Sequence, residues 1–229
     1  MGNLNKLLFK TIITLNCIVL PILIISQNYT KSKLQKIQYD VTNKKHKKKA
    51  VVERNVIRSI KSYMNKYNQE INEIIFVSIK NQTLYHIKKE IILNSYIISS
   101  SKYGTGNRNG SHKTPTGLHK IKEKHGENTP INGRMIGRIY TGEIAKIYTD
   151  TTQSKTDDIT SRILWLEGLE TKKNKGHNID SFSRYIYIHG TSEEGRLGIP
   201  SSQGCIRMKN KDVIDLYNKV AIGTLVLIL

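Results

Sequence analysis

The chain has 229 residues, 38% hydrophobic and 24% charged, with a net charge of +19. That length holds one ordinary domain with appendages, and the composition excludes a chain disordered throughout. The charge favours anionic partners without choosing among them, and the simpler account is a solvated lysine-rich linker, since residues 1–70 hold 14 Lys/Arg against 3 Asp/Glu.

Lys6 and Lys10 precede Thr11 to Ile25, an uncharged run. A basic flank before a short apolar stretch predicts a secretory signal or an uncleaved signal anchor over residues 1–30. The run is short for a spanning helix, and Pro21 would kink one; a buried N-terminal core helix is the alternative. The polar segment that follows ends in KKHKKK at 44–49 and reads as a basic tether. Nucleic acid is not expected as a partner, because neither interleaved aromatics nor a recognisable binding fold surrounds the basic run. A membrane surface next to the apolar segment fits better.

Val52, Val56, Ile60, Met64, Tyr67 and Ile71 recur at steps of three or four. This predicts an amphipathic helix packed on the next domain, or less favourably a partner-binding helix, completing a segment over 31–72. From residue 73 onward short β-rich runs alternate with polar turns: 74–79, 83–87, 91–99, 143–148, 162–167, 184–189 and 224–229. The pattern predicts a mainly β domain, an antiparallel sheet or barrel, over 73–229. Lys211–Val220 has helical spacing, with Asp212 near its start and Gly223 after its end.

The only cysteines are Cys17 and Cys205. The globular part therefore keeps a single thiol, which in an exported protein needs a reason, and reactivity supplies one. Taken alone, a cysteine is usually a small buried hydrophobe and a histidine a satisfied polar residue. Ile186–Met208, IYIHGTSEEGRLGIPSSQGCIRM, joins the two. A thiol reacts as thiolate, and an imidazole beside it can take the proton, so His189 is the base candidate for Cys205. Gly204 lets a substrate carbonyl approach, and the N–H groups around Gly204 and Cys205 are candidates to hold an oxyanion. Arg207 offers a fork for a carboxylate. Glu193 and Glu194 read as a solvated loop, with contact to a substrate ammonium as the alternative. A metal site from Cys205, His189 and His177 is disfavoured, because the histidines lack the close spacing of paired ligands.

Residues 186–208 resemble the signature of the YkuD family of L,D-transpeptidases: HGT, a loop, then Ser-His-Gly-Cys with an apolar residue and often Arg. SSKYGTGNRNGSHKTPTGLHKI (100–121), with TPTG at Thr114–Gly117, and TSRILWLEGLE (160–170) are similar to further segments of that family. The resemblance implies a cell-wall enzyme of the peptidoglycan stem peptides. Cys205 would be its nucleophile, His189 its base, and Gly190 would orient that base through its carbonyl. Ser202, Gln203 and Gly204 would bind substrate, and Arg207 would help bind it or shape the pocket; the implied fold is a curved sheet or barrel with a few helices. It implies no metal or organic cofactor. The acceptor would be a second stem peptide or an envelope protein, and the location periplasmic, either free or tied to the inner membrane by the N-terminal segment. Gln203 departs from the family's usual His before Gly-Cys and cannot take a proton at neutral pH, which leaves His189 as the motif's only imidazole. Three rivals stay open: an L,D-carboxypeptidase or endopeptidase sharing the acyl-enzyme, a degenerate wall-binding module, and, more weakly, a sortase-like protease.

Overall fold

The structure is a computed structural model that describes residues 31, 33–36, 38–44, 47, 49–67 and 71–229. The apolar run at 11–25 lies outside them. The chain divides into two compact units, Met1–Asn55 and Val56–Leu229. In the first unit every described residue is helical, further back than the apolar periodicity indicates. Neither Gly nor Pro occurs between 31 and 55, and Lys, Gln and Glu are good helix formers that need no burial. The pair Lys49–Glu53 at 3.8 Å adds a small i,i+4 contribution. No helix among the described residues is long and apolar enough to cross a membrane.

The second unit opens with helix α1 (56–64). Val56, Ile60 and Met64 are buried, as their spacing predicts. Ten strands follow: β1 Glu73–Ser78, β2 Thr83–Lys88, β3 Ile91–Ser99, β4 Gly117–His125, β5 Gly133–Ile136, β6 Ile139–Ile144, β7 Ile159–Gly168, β8 Tyr187–Thr191, β9 Ile206–Met208 and β10 Leu225–Ile228. The pairing order is β4-β10-β1-β2-β3-β9-β8-β7, and β7 pairs back onto β4. Eight strands thus close into a barrel, which leaves no open edge among them. The β5–β6 hairpin extends from the start of β7 through Met135↔Ile159 and Arg134↔Thr160. β1 with β10 and β8 with β9 are parallel; all other pairs are antiparallel.

Alternation fills the core. Ile75 and Val77, Leu164 and Leu166, Ile186 and Ile188, Ile206 and Met208, and Val226 and Ile228 all join one buried cluster. Helix α2 (Asn210–Lys219) adds Val213, Leu216 and Tyr217 to it. Its start is held by Glu194, whose carboxylate accepts from the Asn210 backbone N–H at 2.8 Å. Its end is held by Lys124, whose Nζ donates to the carbonyls of Tyr217 and Val220, both at 2.7 Å. The intervening residues of β7 and β8, Ile163, Trp165 and Tyr187, face the other way and form a second cluster with Met135, against which Cys205 and Phe182 pack. This face carries the site.

Two of the expected strands end elsewhere. Of 143–148 only Glu143 and Ile144 are in a strand; β6 lies mostly before them, on an exposed hairpin where no burial pattern marks the ends. Arg184–Ile186 form a turn, not the start of β8. Tyr185 has φ 55, and its N–H and that of Ile186 bond back to Phe182 and Ser181.

Candidate active site

His189 stands on β8 directly opposite Arg207 on β9, and Ile188 is opposite Ile206. Extending this parallel register one step back sets Cys205 beside Tyr187. Residues two apart on a strand share a face, separated by about 6–7 Å of backbone. The ring of His189 and the sulfur of Cys205 therefore lie on one face of neighbouring strands. Sγ is held from both sides: the Tyr187 N–H donates to it at 3.4 Å, and the thiol donates to the Tyr185 carbonyl at 3.3 Å. The left-handed turn at Tyr185 is what aims that carbonyl at the sulfur.

Cys205 is half-buried, while His189 is only 3% exposed. The Gly190 carbonyl, expected from the sequence to orient the ring, lies 2.7 Å from His189 Nδ1. A Cβ at residue 190 would stand 2.6 Å from the Thr160 carbonyl oxygen and 2.7 Å from Asn210 Oδ1, so this close approach requires glycine. Burial pushes the Cys205 thiol up to about 11, partly offset by the Tyr187 N–H. Burial also pushes His189 down to about 4, against the bond to Gly190. Desolvation penalises each charged form, so thiol and imidazole rest neutral instead of as an ion pair.

The residues flanking Cys205 are engaged within the protein. Ser202 Oγ accepts from the Gly204 N–H at 3.2 Å and donates to the Cys205 carbonyl at 2.6 Å. The Gly204 N–H is thereby committed, and its φ of 129 demands glycine. Thr114, first residue of TPTG, donates to the Gly204 carbonyl at 2.9 Å. Arg207 is 3% exposed and does not present its fork to solvent: Nη1 donates to Glu193 at 2.9 Å and Nη2 to Asp157. Glu193 is itself only 2% exposed, so it belongs to a buried ion pair and not to a solvated loop. Gln203 is exposed, and its Nε2 reaches Asp157 Oδ2 at 3.3 Å. Ser202, Gly204 and Arg207 thus hold the turn around the thiol, and only Gln203 faces outward.

Sequence reasoning missed Asp157 and the aromatic layer beside the thiol. Trp165 stacks on Phe182 at 4.0 Å between centroids and on Tyr185 at 5.5 Å, and meets Tyr187 edge-on at 5.5 Å. The only usable signal was Trp165, the chain's single tryptophan, within the 160–170 segment. His177 lies in an exposed 3-10 turn. Among the described residues no group of three or more His, Cys, Asp or Glu is arranged to hold a metal ion.

Comparison with known proteins supplies the family. The model of the YkuD L,D-transpeptidase catalytic domain matches residues 72–228. Two Bacillus subtilis (strain 168) proteins, YkuD and YqjB, both described as candidate L,D-transpeptidases, are 51% identical over 49 residues and 49% identical over 45. Those stretches make up 21% and 20% of this chain and span only 30% and 26% of the relatives' length. Among solved structures, an L,D-transpeptidase from Mycobacterium smegmatis is 14% identical, with a TM-score of 0.41 over 69% of this chain and 58% of that one. One from Mycobacterium tuberculosis H37Rv is 16% identical, with a TM-score of 0.43 over 69% and 57%. With most of its length matched by the family model, around a cysteine and a histidine on one face of adjoining strands, the chain belongs to the YkuD family of L,D-transpeptidase catalytic domains.

Proposed function

We propose that the protein is a peptidoglycan L,D-transpeptidase with Cys205 as nucleophile and His189 as general base. The bond between His189 Nδ1 and the Gly190 carbonyl carries this reading. A carbonyl only accepts, so Nδ1 holds the hydrogen, and the neutral ring keeps its lone pair on Nε2. That is the form a base needs.

In the first half-reaction the thiol attacks the carbonyl carbon of the third residue of a stem tetrapeptide. The Sγ–C bond forms as the thiol proton passes to Nε2. The Cys205 N–H, with the Gly204 N–H committed to Ser202, is the candidate donor to the developing oxyanion. Collapse breaks the C–N bond to the terminal D-alanine, whose nitrogen takes the proton from Nε2. In the second half-reaction an acceptor amine gives its proton to Nε2 and bonds to the acyl carbon; Sγ departs and recovers its proton from the ring. Because both groups rest neutral, the proton moves with the attack rather than before it. The acceptor is a second stem peptide or an envelope protein. On this reading the domain works outside the cytoplasm, where the wall polymer is, with the 11–25 segment as its export signal or anchor.

Intact mass after incubation with a tetrapeptide donor tests the reading. The expected result is an adduct of the tripeptide acyl group at Cys205, lost in C205A, followed by crosslinked dimers when acceptor is added. Tripeptide without dimers would make the protein a carboxypeptidase, and no adduct with any donor would make it a wall-binding module.

A further inference from the structure

Two arginines, Arg207 and Arg184, lie by Cys205, and a third, Arg138, lies beyond the aromatic layer; their charges are matched differently. Arg207 is paired with Glu193 and Asp157. Arg184 donates to the carbonyls of Gly106 at 3.3 Å and Lys113 at 2.7 Å, pinning the loop before TPTG to the turn before β8. Arg138, like Arg184, has no carboxylate partner among the described residues, but only its Nη1 is engaged in a hydrogen bond there. It sits at the tip of the β5–β6 hairpin with φ 72. Glu123, the acid whose field reaches it, is bonded to His125 at 2.9 Å. Among the described residues, the hydrogen bond of Arg138 runs from Nη1 to the Tyr187 hydroxyl at 3.2 Å.

Its guanidinium lies 4.5 Å from the centroid of Trp165 and 5.9 Å from that of Tyr185. Tyr187 and Tyr185 are the residues whose N–H and carbonyl hold Sγ. Arg138 is therefore one aromatic layer from the nucleophile, partly exposed, and among the described residues its Nε and Nη2 have no hydrogen-bond partner. A guanidinium resting on an aromatic ring keeps its N–H edge available for a carboxylate, which it binds through two parallel bonds.

We propose that Arg138 is a specificity residue that binds a free carboxylate of the donor peptide. The assignment rests on the transpeptidase reading above. A donor stem carries two candidates near the scissile bond: the C-terminal carboxylate of the departing residue, and the side-chain carboxylate of a diaminopimelate at position three. The aromatic layer covers the aliphatic stem between them. The site thereby distinguishes donors by whether that carboxylate is free or amidated.

The test compares three donors on the full chain: the free tetrapeptide, its C-terminal amide, and its third-residue side-chain amide. Wild type should acylate more slowly with one of the two amides, and that amide identifies the carboxylate. In R138Q, KM for the free donor should rise about tenfold to a hundredfold while kcat changes little, as expected for loss of a charge-assisted contact made before the transition state. The preference for free donor should vanish with it. R138K, with charge but no fork, should fall between. Alkylation of Cys205 by iodoacetamide at the wild-type rate verifies that the variants are folded around the thiol. R138Q discriminating like wild type, or wild type accepting all three donors alike, overturns the assignment. A wild-type chain that no donor acylates overturns the transpeptidase reading itself and this assignment with it.

Discussion

Thr114 Oγ1 donates a 2.9 Å hydrogen bond to the carbonyl of Gly204, the residue just before the nucleophile, and accepts another at 2.9 Å from the Ser101 N–H. One hydroxyl thus joins the end of β3, the TPTG segment and the Cys205 turn. T114V keeps the shape and leaves two buried backbone groups without their partner. The expected loss is about 1–3 kcal/mol of stability, with acylation slowed because the sulfur is no longer fixed. A wild-type denaturation midpoint in T114V would mean that water or a neighbour replaces the hydroxyl.

The neutral thiol–imidazole pair predicts an unusual pH profile. His189, lowered by burial to about 4, is fully available as base at neutral pH and is lost as pH falls through about 4. Cys205, raised by burial to about 11, stays protonated to high pH. Donor acylation should therefore be level from about pH 5 to 9. Iodoacetamide, which requires thiolate, should react slowly at pH 8 and still be accelerating at pH 10. An acid limb near 6.5 in kcat/KM would show that the ring is solvated.

The pair Arg207–Glu193 is buried on both sides, at 4% and 2% side-chain exposure. Removing one partner leaves the other with a weaker second contact, Arg207 with Asp157 and Glu193 with Arg196 at 3.3 Å, so the cost stays below the ~3–5 kcal/mol of a stranded buried charge. E193Q and R207M should each lower the denaturation midpoint sharply, and E193Q/R207M should lose less than the sum of the two. Additive losses would show that the two side chains are not coupled.

Glu170 ties α1 to the barrel. It accepts from Tyr63 Oη at 2.7 Å, Lys66 Nζ at 2.7 Å and the Leu118 N–H at 2.6 Å. Burial alone would raise its pKa, but the bonds from Lys66, Tyr63 and Leu118 bring it down to about 2. A carboxylate whose folded pKa lies below its ordinary value stabilises the fold above the ordinary range, and that stability is lost as pH falls from about 4.5 towards 2. E170Q should lose about 1–3 kcal/mol at neutral pH and converge with wild type near pH 2. A constant gap between the two curves down to pH 2 would assign the loss to shape, not charge.

Much of the fold was legible because burial leaves a period. β1, β2 and β3 alternate or run apolar between polar turns, and α1 and α2 show helical spacing. β4 was not found by period: Lys120, Lys122 and Lys124 give it the look of a solvated segment, although Leu118 and Ile121 are buried in the barrel. β9 is three residues long, too short for a period to register. At the site, His189, Gly190 and Cys205 were legible because they sit in one contiguous motif. Glu193 and Asp157 were not, because their partner Arg207 is 14 and 50 residues away and pairing across such distances leaves no local mark. The same holds for Arg138, which meets Tyr187 49 residues later.

β8 and β9 run side by side in the same direction, and such neighbours cannot be joined by a tight hairpin. The chain must leave the top of β8 just after the base and re-enter at the bottom of β9 just after the nucleophile. Residues 192–205 make that journey. Topology therefore obliges a long excursion to begin and finish at the reacting groups, as a ready-made wall for the cleft. Its two ends are fixed by what they hold, Glu193 against Arg207 and Ser202 against the Cys205 turn, so the excursion and the alignment of ring and sulfur stand or fall together.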